Sequence, residues 1–109
     1  MSFPCRTPEP PYYAVIFPST RTEGDRGYAA MAEKMAKLAA EQAGFLGLET
    51  VRDTSGNGIT ISYWESEEAI QAWHQNVDHQ KAQEAGKSIW YDDYMLRIAK
   101  VERAYGKGS

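Results

Sequence analysis

Aromatic rings, two histidines and a few hydroxyl groups are the side chains of this sequence whose types and spacing could do chemistry. A planar aromatic ligand binds in a pocket lined by rings and a few polar groups. Five rings in the second half of the chain could stack on such a ligand: Trp64, Trp73, Trp90, Tyr91 and Tyr94. The same rings could instead form ordinary core and dimer interface, and the sequence leaves both readings open.

His79 is the candidate general base, because a histidine can take a proton from a substrate near neutral pH. We expect a helix break near residues 76–78, with Asp78 capping a second helical segment that begins at His79. The structural alternative is a histidine that is packed or hydrogen-bonded at this junction. His74 follows Trp73 on the buried stripe of the helix and is predicted to be structural.

Metal, nucleotide and hydrolase chemistry have no support in these patterns. His74 and His79 are separated by about 140° around a continuous helix, and no third ligand is near them in sequence. Ser62 has no positioned base, and no glycine-rich phosphate loop follows a strand. We therefore predict no metal and no cofactor. Arg97, on an alternating final strand, could reach an anionic ligand or a partner chain, and a surface or interface ion pair is the simpler expectation.

These candidates are positioned by the stretch from Gly58 to Gln83, where a two-residue alternation changes to helical spacing at residues 64–66. Strand residues alternate between faces, so Thr60, Ser62 and Trp64 share the more polar face of the sheet. Ile59, Ile61 and Tyr63 share the other. A helix beginning at Ser66 and folding back over the polar face would bring Trp73 close to Trp64. This predicts a pocket lined by Thr60, Ser62, Trp64 and Trp73.

The rest of the chain supplies the other elements of one α+β domain. Strands are predicted at residues 12–17, 45–52, 59–64 and near 95–105, with helices from Asp25 to Gln42 and from Ser66 onward. This order is the split, ferredoxin-like βαββαβ arrangement: an antiparallel four-stranded sheet with two main helices on one face. We expect the crossovers to join parallel neighbours, with the first and third strands inside the sheet. Residues 1–11 are predicted to form a proline-rich arm or disordered tail, residues 12–105 the single domain and residues 106–109 a tail.

Two helices cover only one face of such a sheet, so the face that carries Ile59, Ile61 and Tyr63 needs a partner. We predict a homodimer that pairs these faces.

Composition restricts the remaining functions. The 109 residues are 42% hydrophobic with a net charge of −3, which fits one globular domain and gives no cationic excess for nucleic acid or a membrane surface. Prolines interrupt the amino-terminal residues where a secretory signal would be apolar, so we expect a soluble, cytoplasmic protein. The single cysteine, Cys5, is predicted to be an inert thiol.

Several motifs resemble the antibiotic biosynthesis monooxygenase (ABM) family of dimeric α/β barrels, in a branch without a defined substrate. They are Ser-Tyr-Trp-Glu-Ser at residues 62–66, Ala-Trp-His at 72–74, Asp-His-Gln-Lys-Ala-Gln at 78–83 and Trp-Tyr-Asp-Asp-Tyr at 90–94. The similarity spans about Tyr13 to Tyr105. It implies a dimer whose sheets close into a barrel, with a pocket between the helices and the sheet of each protomer.

The resemblance also implies a chemistry. Members that oxidise aromatic polyketides use no cofactor, and their pocket tryptophan matches Trp64. Their amide four residues earlier falls on Thr60, which is a departure. The haem-degrading branch also matches at Trp64, but its axial histidine falls on Gln83 and its first-strand asparagine has no counterpart.

Together these observations predict a small cofactor-independent monooxygenase acting on an electron-rich quinol- or anthrone-like compound. His79 and Trp64 are its expected catalytic residues, and Thr60, Ser62, Trp73, Gln83, Trp90 and Tyr91 are expected to bind the substrate. The alternative is a non-catalytic binding protein for a hydrophobic metabolite or haem.

Overall fold

The computed structural model of this chain describes residues 3–83 and 90–107, with the side chains of residues 78–83 left out of the description. Five strands and two helices follow one another along it: β1 Tyr12–Arg21, α1 Tyr28–Ala40, β2 Phe45–Arg52, β3 Asn57–Trp64, α2 Glu67–Gln83, β4 Tyr91–Tyr94 and β5 Arg97–Val101. The fold is α+β with a ferredoxin-like arrangement, as predicted, and neither helix in these ranges is long and apolar enough to cross a membrane.

The sheet has the order β2-β3-β1, and both β4 and β5 pair with the remaining edge of β1. β1 and β3 are inner strands, as their two apolar faces predicted. Two details were predicted wrongly. Every pairing is antiparallel, so β3 separates the parallel strands β1 and β2. The sheet also has a fifth strand, because residues 91–94, which lie before the predicted final strand, form a short strand of their own.

The two faces of the sheet have different coverings. The buried cluster of Val15, Ala39, Trp64 and Ile70 joins β1, α1, β3 and α2, so both helices pack on the face that carries Val15 and Trp64. We call this the inner face and the opposite side the outer face. By strand alternation, Ser62 and Thr60 lie on the inner face with Trp64, as predicted.

Local capping sets where the helices begin. The Asp25 carboxylate accepts hydrogen bonds from the backbone N–H groups of Gly27 and Ala29, 3.0 and 3.1 Å away. The Ser66 hydroxyl accepts one from the N–H of Ala69, 3.1 Å away. The Ala29 and Ala69 contacts satisfy amide groups of a first helical turn that have no partner within the helix, and the Gly27 contact holds the residue that precedes α1.

The amino-terminal arm, residues 3–11, packs on the outer face. The Cys5 N–H donates to one oxygen of the Glu49 carboxylate at 2.8 Å, and the Tyr63 hydroxyl donates to the other. The Cys5 side chain lies over Gly47, where a Cβ would collide with Sγ. The arm therefore covers one end of the face that was predicted to need a partner.

Candidate functional site

Trp64 is the centre of an aromatic cluster at one end of the inner face. Its ring stacks on Trp73 of α2 at 5.7 Å and 26°, and meets Phe45 of β2 edge to face at 5.4 Å. Its side chain is 0% exposed, and the indole Nε1–H donates to Ser62 Oγ at 2.9 Å. We call Trp64, Trp73 and Phe45 the tryptophan cluster. The cluster brings together two predicted site residues, Trp64 and Trp73, and the hydrogen bond to Ser62 adds a third. This packing leaves Trp64 without contact with solvent.

A second aromatic cluster occupies the other end of the inner face. Phe17 meets the rings of Tyr91 and Tyr94 at 5.3 and 5.4 Å, and Tyr91 meets Tyr28 of α1 at 5.7 Å. We call Phe17, Tyr28, Tyr91 and Tyr94 the tyrosine cluster. Tyr94 is 47% exposed, so this cluster includes a ring that is open to water, whereas Trp64 at the centre of the first cluster is not.

Arginines border the tyrosine cluster. The Arg21 guanidinium carbon lies 3.7 Å from the centre of the Tyr28 ring, a cation–π contact. Arg21 Nε donates to the Trp90 carbonyl at 3.0 Å. Arg52 donates to the Ser19 hydroxyl at 2.7 Å and to the Ser19 carbonyl at 3.0 Å. Both guanidinium groups are thus engaged in holding the elements at this end of the sheet together.

The pKa of Tyr91, on the inner face, is raised. Burial raises its pKa above the ordinary value, and the hydrogen bond that its hydroxyl donates to Tyr28 Oη, 3.2 Å long, raises it further. The charges of Arg52 and Arg21 act in the opposite direction and do not offset the rise. The phenol is therefore neutral at physiological pH, so it can donate a hydrogen bond but cannot accept a proton as a base.

A pair of hydroxyl groups lies between the clusters. Thr60 is directly opposite Phe17 across the β1–β3 ladder and opposite Thr50 across the β2–β3 ladder. The two threonine hydroxyls are 2.7 Å apart, and Thr50 is exposed while Thr60 is half-buried. These two hydroxyls are more accessible than that of Ser62, which lies on the same face but is buried and hydrogen-bonded to Trp64.

The structure separates the predicted site residues into two groups. Ser62, Trp64 and Trp73 lie at one end of the inner face. Trp90 and Tyr91 lie at the other end, where Tyr91 is opposite Arg21. Arg21 is eight positions along β1 from the partner of Trp64, or about 26 Å at 3.3 Å per residue. Trp90 is buried, and its Nε1–H donates to the Arg26 carbonyl at 3.0 Å, so it anchors the loop before α1.

The candidate base lies on α2, and the helix differs from the prediction there. α2 runs without interruption from Glu67 to Gln83, so the predicted break near residues 76–78 is wrong. In a continuous helix, position 79 lies about 180° around the axis from Ile70, which is in the core. The side chains of His79 and Gln83 lie outside the described residues, and their predicted roles stay predictions.

Sequence reasoning did not assign Phe17, Thr50 or Tyr28 to the site. The signal that identifies Phe17 and Thr50 is the strand register, which places them on either side of Thr60, and Tyr28 is identified only by its contact with Tyr91. That register depends on long-range pairing, which alternation along a single strand does not reveal. Within the described residues no three histidine, cysteine or carboxylate side chains are grouped as metal ligands.

The outer face carries an open groove of about 720 Å³ at the end that the arm leaves uncovered. Apolar side chains from four strands or their ends form much of its floor, and several of them are exposed. Residues that line it include Pro18, Val51, Ile59, Met95, Asp93 and Arg97.

Comparison with known proteins identifies the family. The antibiotic biosynthesis monooxygenase (ABM) family profile matches residues 11–85. The chain is 55% identical over 103 residues to the uncharacterised protein YqjZ of Bacillus subtilis, covering 94% of this chain and 90% of YqjZ. It is 29% identical over 93 residues to the jasmonate monooxygenase ABM of Pyricularia oryzae, covering 82% of this chain but only 43% of the fungal protein.

Solved structures agree at the level of fold. A point mutant of SnoaB, a cofactor-independent oxygenase from Streptomyces nogalater, superposes with a TM-score of 0.72 at 11% identity, covering 87% of this chain and 97% of SnoaB. PA3566 from Pseudomonas aeruginosa superposes with a TM-score of 0.66 at 18% identity, covering 90% of this chain and 99% of PA3566. Because the family profile matches more than half of its residues, the chain belongs to the antibiotic biosynthesis monooxygenase family.

Proposed function

We propose that this protein is a small monooxygenase that acts without a cofactor on an electron-rich aromatic compound of the quinol or anthrone type. Family membership supports the reaction class. The observation that carries the proposal is on the inner face, where the partly exposed Tyr94 ring packs on Phe17, and Phe17 is opposite Thr60 of the Thr50–Thr60 hydroxyl pair. A flat aromatic substrate needs ring surface and a small number of polar groups to fix its orientation.

The proposed reaction uses the substrate as its own reductant. Removal of a proton gives a phenolate or enolate that passes an electron to dioxygen. For an anthrone, a ring CH₂ becomes C=O, and the two hydrogens leave with the second oxygen atom as water. The protein orients the ring, excludes bulk water and handles the proton, and we assign the proton transfer to His79 or to a water that it orients.

Oxygen uptake with anthrone and quinol substrates tests this function. We expect the wild type to consume oxygen in step with product formation and His79→Ala to lose most of the rate. His74→Ala is the matched control, because it removes the other histidine from the same helix. Equal rates for wild type and His79→Ala would remove His79 from the mechanism, and no uptake by the wild type with any such substrate would contradict the function.

A second candidate function is binding of a hydrophobic metabolite or haem without turnover. The Tyr91 phenol favours this function. Its raised pKa keeps it neutral, so it can donate a hydrogen bond to a ligand but cannot act as a base. Titration with haemin tests whether the ligand is haem, since binding shifts the Soret band. An unchanged spectrum would exclude haem binding.

We also propose that the protein is a homodimer that pairs outer faces, as the exposed apolar side chains on this face suggest. Size-exclusion chromatography with light scattering at micromolar concentration measures the mass directly. A monomer would contradict the pairing.

A further inference from the structure

Arg52 is held on the inner face in a space that a glycine leaves open. Its guanidinium carbon lies over Gly58, where an added Cβ would be 2.7 Å from it. The guanidinium donates to the hydroxyl and the carbonyl of Ser19 and to the carbonyl of Gly56. These contacts fix a half-buried cation in one orientation on the sheet.

The charge of Arg52 has no counter-charge in the described part of the chain. All of its acceptors are neutral oxygens, and so are those of Arg21, which donates to backbone carbonyls and contacts the Tyr28 ring. Asp53 follows Arg52 in sequence, but its carboxylate accepts two N–H groups of the β2–β3 turn. Because a cation withdrawn from water is stabilised by an anion, these arginines indicate where an anion would bind.

One edge of the Arg52 guanidinium is open for a ligand. A guanidinium has five N–H groups, and three of those of Arg52 are used, two on Nη1 and one on Nη2. The Nε–H and the second Nη2–H have no acceptor among the residues described, and together they form a fork that fits the two oxygens of a carboxylate. No buried side-chain nitrogen in the same residues lacks a hydrogen bond, so Nε is in contact with solvent.

The surroundings of this edge suit an aromatic ring. Arg52 is in one row across four strands with Gly58, Ser19 and Tyr94. The Thr50–Thr60 hydroxyl pair forms the next row on the inner face, about 6.6 Å away at 3.3 Å per residue. Arg52 and Tyr94 also line the open groove at this end of the sheet, so a ligand can reach both from solvent.

We propose that this end of the inner face binds an aromatic carboxylate, with the carboxylate on Arg52 and the ring beside Tyr94 and the threonine pair. The inference rests on the proposed function and specifies its substrate class as an electron-rich aromatic acid. A guanidinium–carboxylate pair is stronger than a neutral hydrogen bond and fixes the orientation of the ligand. Arg21 strengthens the site, because its charge and that of Arg52 both act on Tyr91 at this end of the face.

A pair of ligands of the same shape tests the site. Isothermal titration calorimetry measures the dissociation constants of 2-naphthoate and of 2-naphthamide, its neutral counterpart. We expect the wild type to bind 2-naphthoate at least about tenfold more tightly than 2-naphthamide. Arg52→Gln removes the charge, so it should weaken 2-naphthoate binding about tenfold and leave 2-naphthamide within about threefold of wild type.

Two further variants complete the test. Arg52→Lys keeps the charge without the planar fork, and we expect an affinity for 2-naphthoate between those of wild type and Arg52→Gln. It also replaces Arg52→Gln if circular dichroism shows that the glutamine variant is unfolded. Lys100→Gln is the matched control, because Lys100 is opposite Tyr13 at the Trp64 end of the sheet. It should leave both dissociation constants within about threefold of wild type.

Equal affinity of the wild type for the two compounds overturns the inference, and so does binding of neither. An equal loss of 2-naphthoate affinity in Lys100→Gln also overturns it, because the preference would then reflect overall charge.

These binding measurements do not depend on oxygen. A protein that prefers the carboxylate but consumes no oxygen with any substrate contradicts the proposed function and leaves the carboxylate site in place. Oxygen uptake with a neutral anthrone, together with no preference for the carboxylate, overturns the carboxylate site alone.

Discussion

The tryptophan cluster and the tyrosine cluster lie at opposite ends of the same sheet face, yet their rings differ in how much of their surface meets solvent. Trp64 is completely buried and its indole N–H is bonded to Ser62. Tyr94 is nearly half exposed, and its neighbour Tyr91 presents a neutral phenol bonded to Tyr28.

The difference shows that aromatic residues on one sheet face can serve as core in one place and as exposed surface in another. Rings from two strands and a helix that interlock without a gap contribute mainly to stability. Tyr94, at the other end of the sheet, keeps an exposed surface that a ligand can contact. The tryptophan cluster, which the sequence favoured as the site, is the better-packed core, and the tyrosine cluster is the better-placed surface.

The largest expected effect separates the clusters by stability. Trp64→Ala should lower the free energy of unfolding by about 3–5 kcal/mol, because it empties a large space in a close-packed core. Tyr94→Ala should cost about 1 kcal/mol, since it removes a partly exposed ring and its contacts with Phe17 and Tyr91. Urea denaturation of both variants measures the two values. Equal losses would mean that the two ends of the face are packed alike.

A smaller effect compares two hydroxyl groups on one face of β3. Ser62→Ala leaves the buried Trp64 N–H without its acceptor, and we expect a loss of about 1–3 kcal/mol. Thr60→Ala, two residues earlier, breaks an accessible hydrogen bond to Thr50 that water can replace, with an expected loss below about 1 kcal/mol. The same denaturation experiment gives both values. A larger loss of stability for Thr60→Ala than for Ser62→Ala would contradict the view that the Trp64 end of the face is the more buried one.

The smallest effect is at alkaline pH. The pKa of Tyr91 is raised in the folded chain above its ordinary value of about 10, so the neutral form is favoured by folding. The stability gained is complete below pH 10 and is lost as the pH rises above it toward the folded pKa. The fall in unfolding free energy between pH 9 and 11 should be smaller in Tyr91→Phe than in wild type.

Absorbance at 295 nm supplies an independent check on the same residue. Burial raises the pKa of Tyr91 and of Tyr63 above the ordinary phenol value of about 10. Part of the absorbance change from the seven tyrosines should therefore appear only at a pH well above that value. Simultaneous ionisation of all seven near pH 10 would contradict this burial.

The sequence predicted the fold because its local signals agree with one another. Alternation assigned Thr60, Ser62 and Trp64 to one face, and Ser66 caps α2 as its position before the helix suggests. α1 begins at Tyr28, three residues after Asp25, with Gly27 at the N-cap, although the Asp25 carboxylate accepts a hydrogen bond from the Ala29 N–H. The predicted helix break near residue 78 was wrong. An aspartate can cap the start of a helix, but it is also tolerated within a continuous helix. Local sequence does not decide between these two cases.

The site was predicted less completely, and the reason is also physical. Trp64 and Trp90 have the same side chain, but strand register and the loop before α1 place them at opposite ends of the sheet. Phe17 enters the tyrosine cluster only because β4 pairs with the far end of β1. Burial and pairing between distant segments, which set these positions, have no signature within a short window of sequence.

The docked arm makes the single cysteine of the chain a natural kinetic probe. Cys5 lies half-buried over Gly47 while its backbone is tied to Glu49, so alkylating reagents reach the thiol fully only when the arm lifts. The rate of maleimide labelling therefore reports how often this segment opens. An amino-terminal affinity tag would be joined to the same segment, so a carboxy-terminal tag is the better choice when the outer face is to be studied undisturbed.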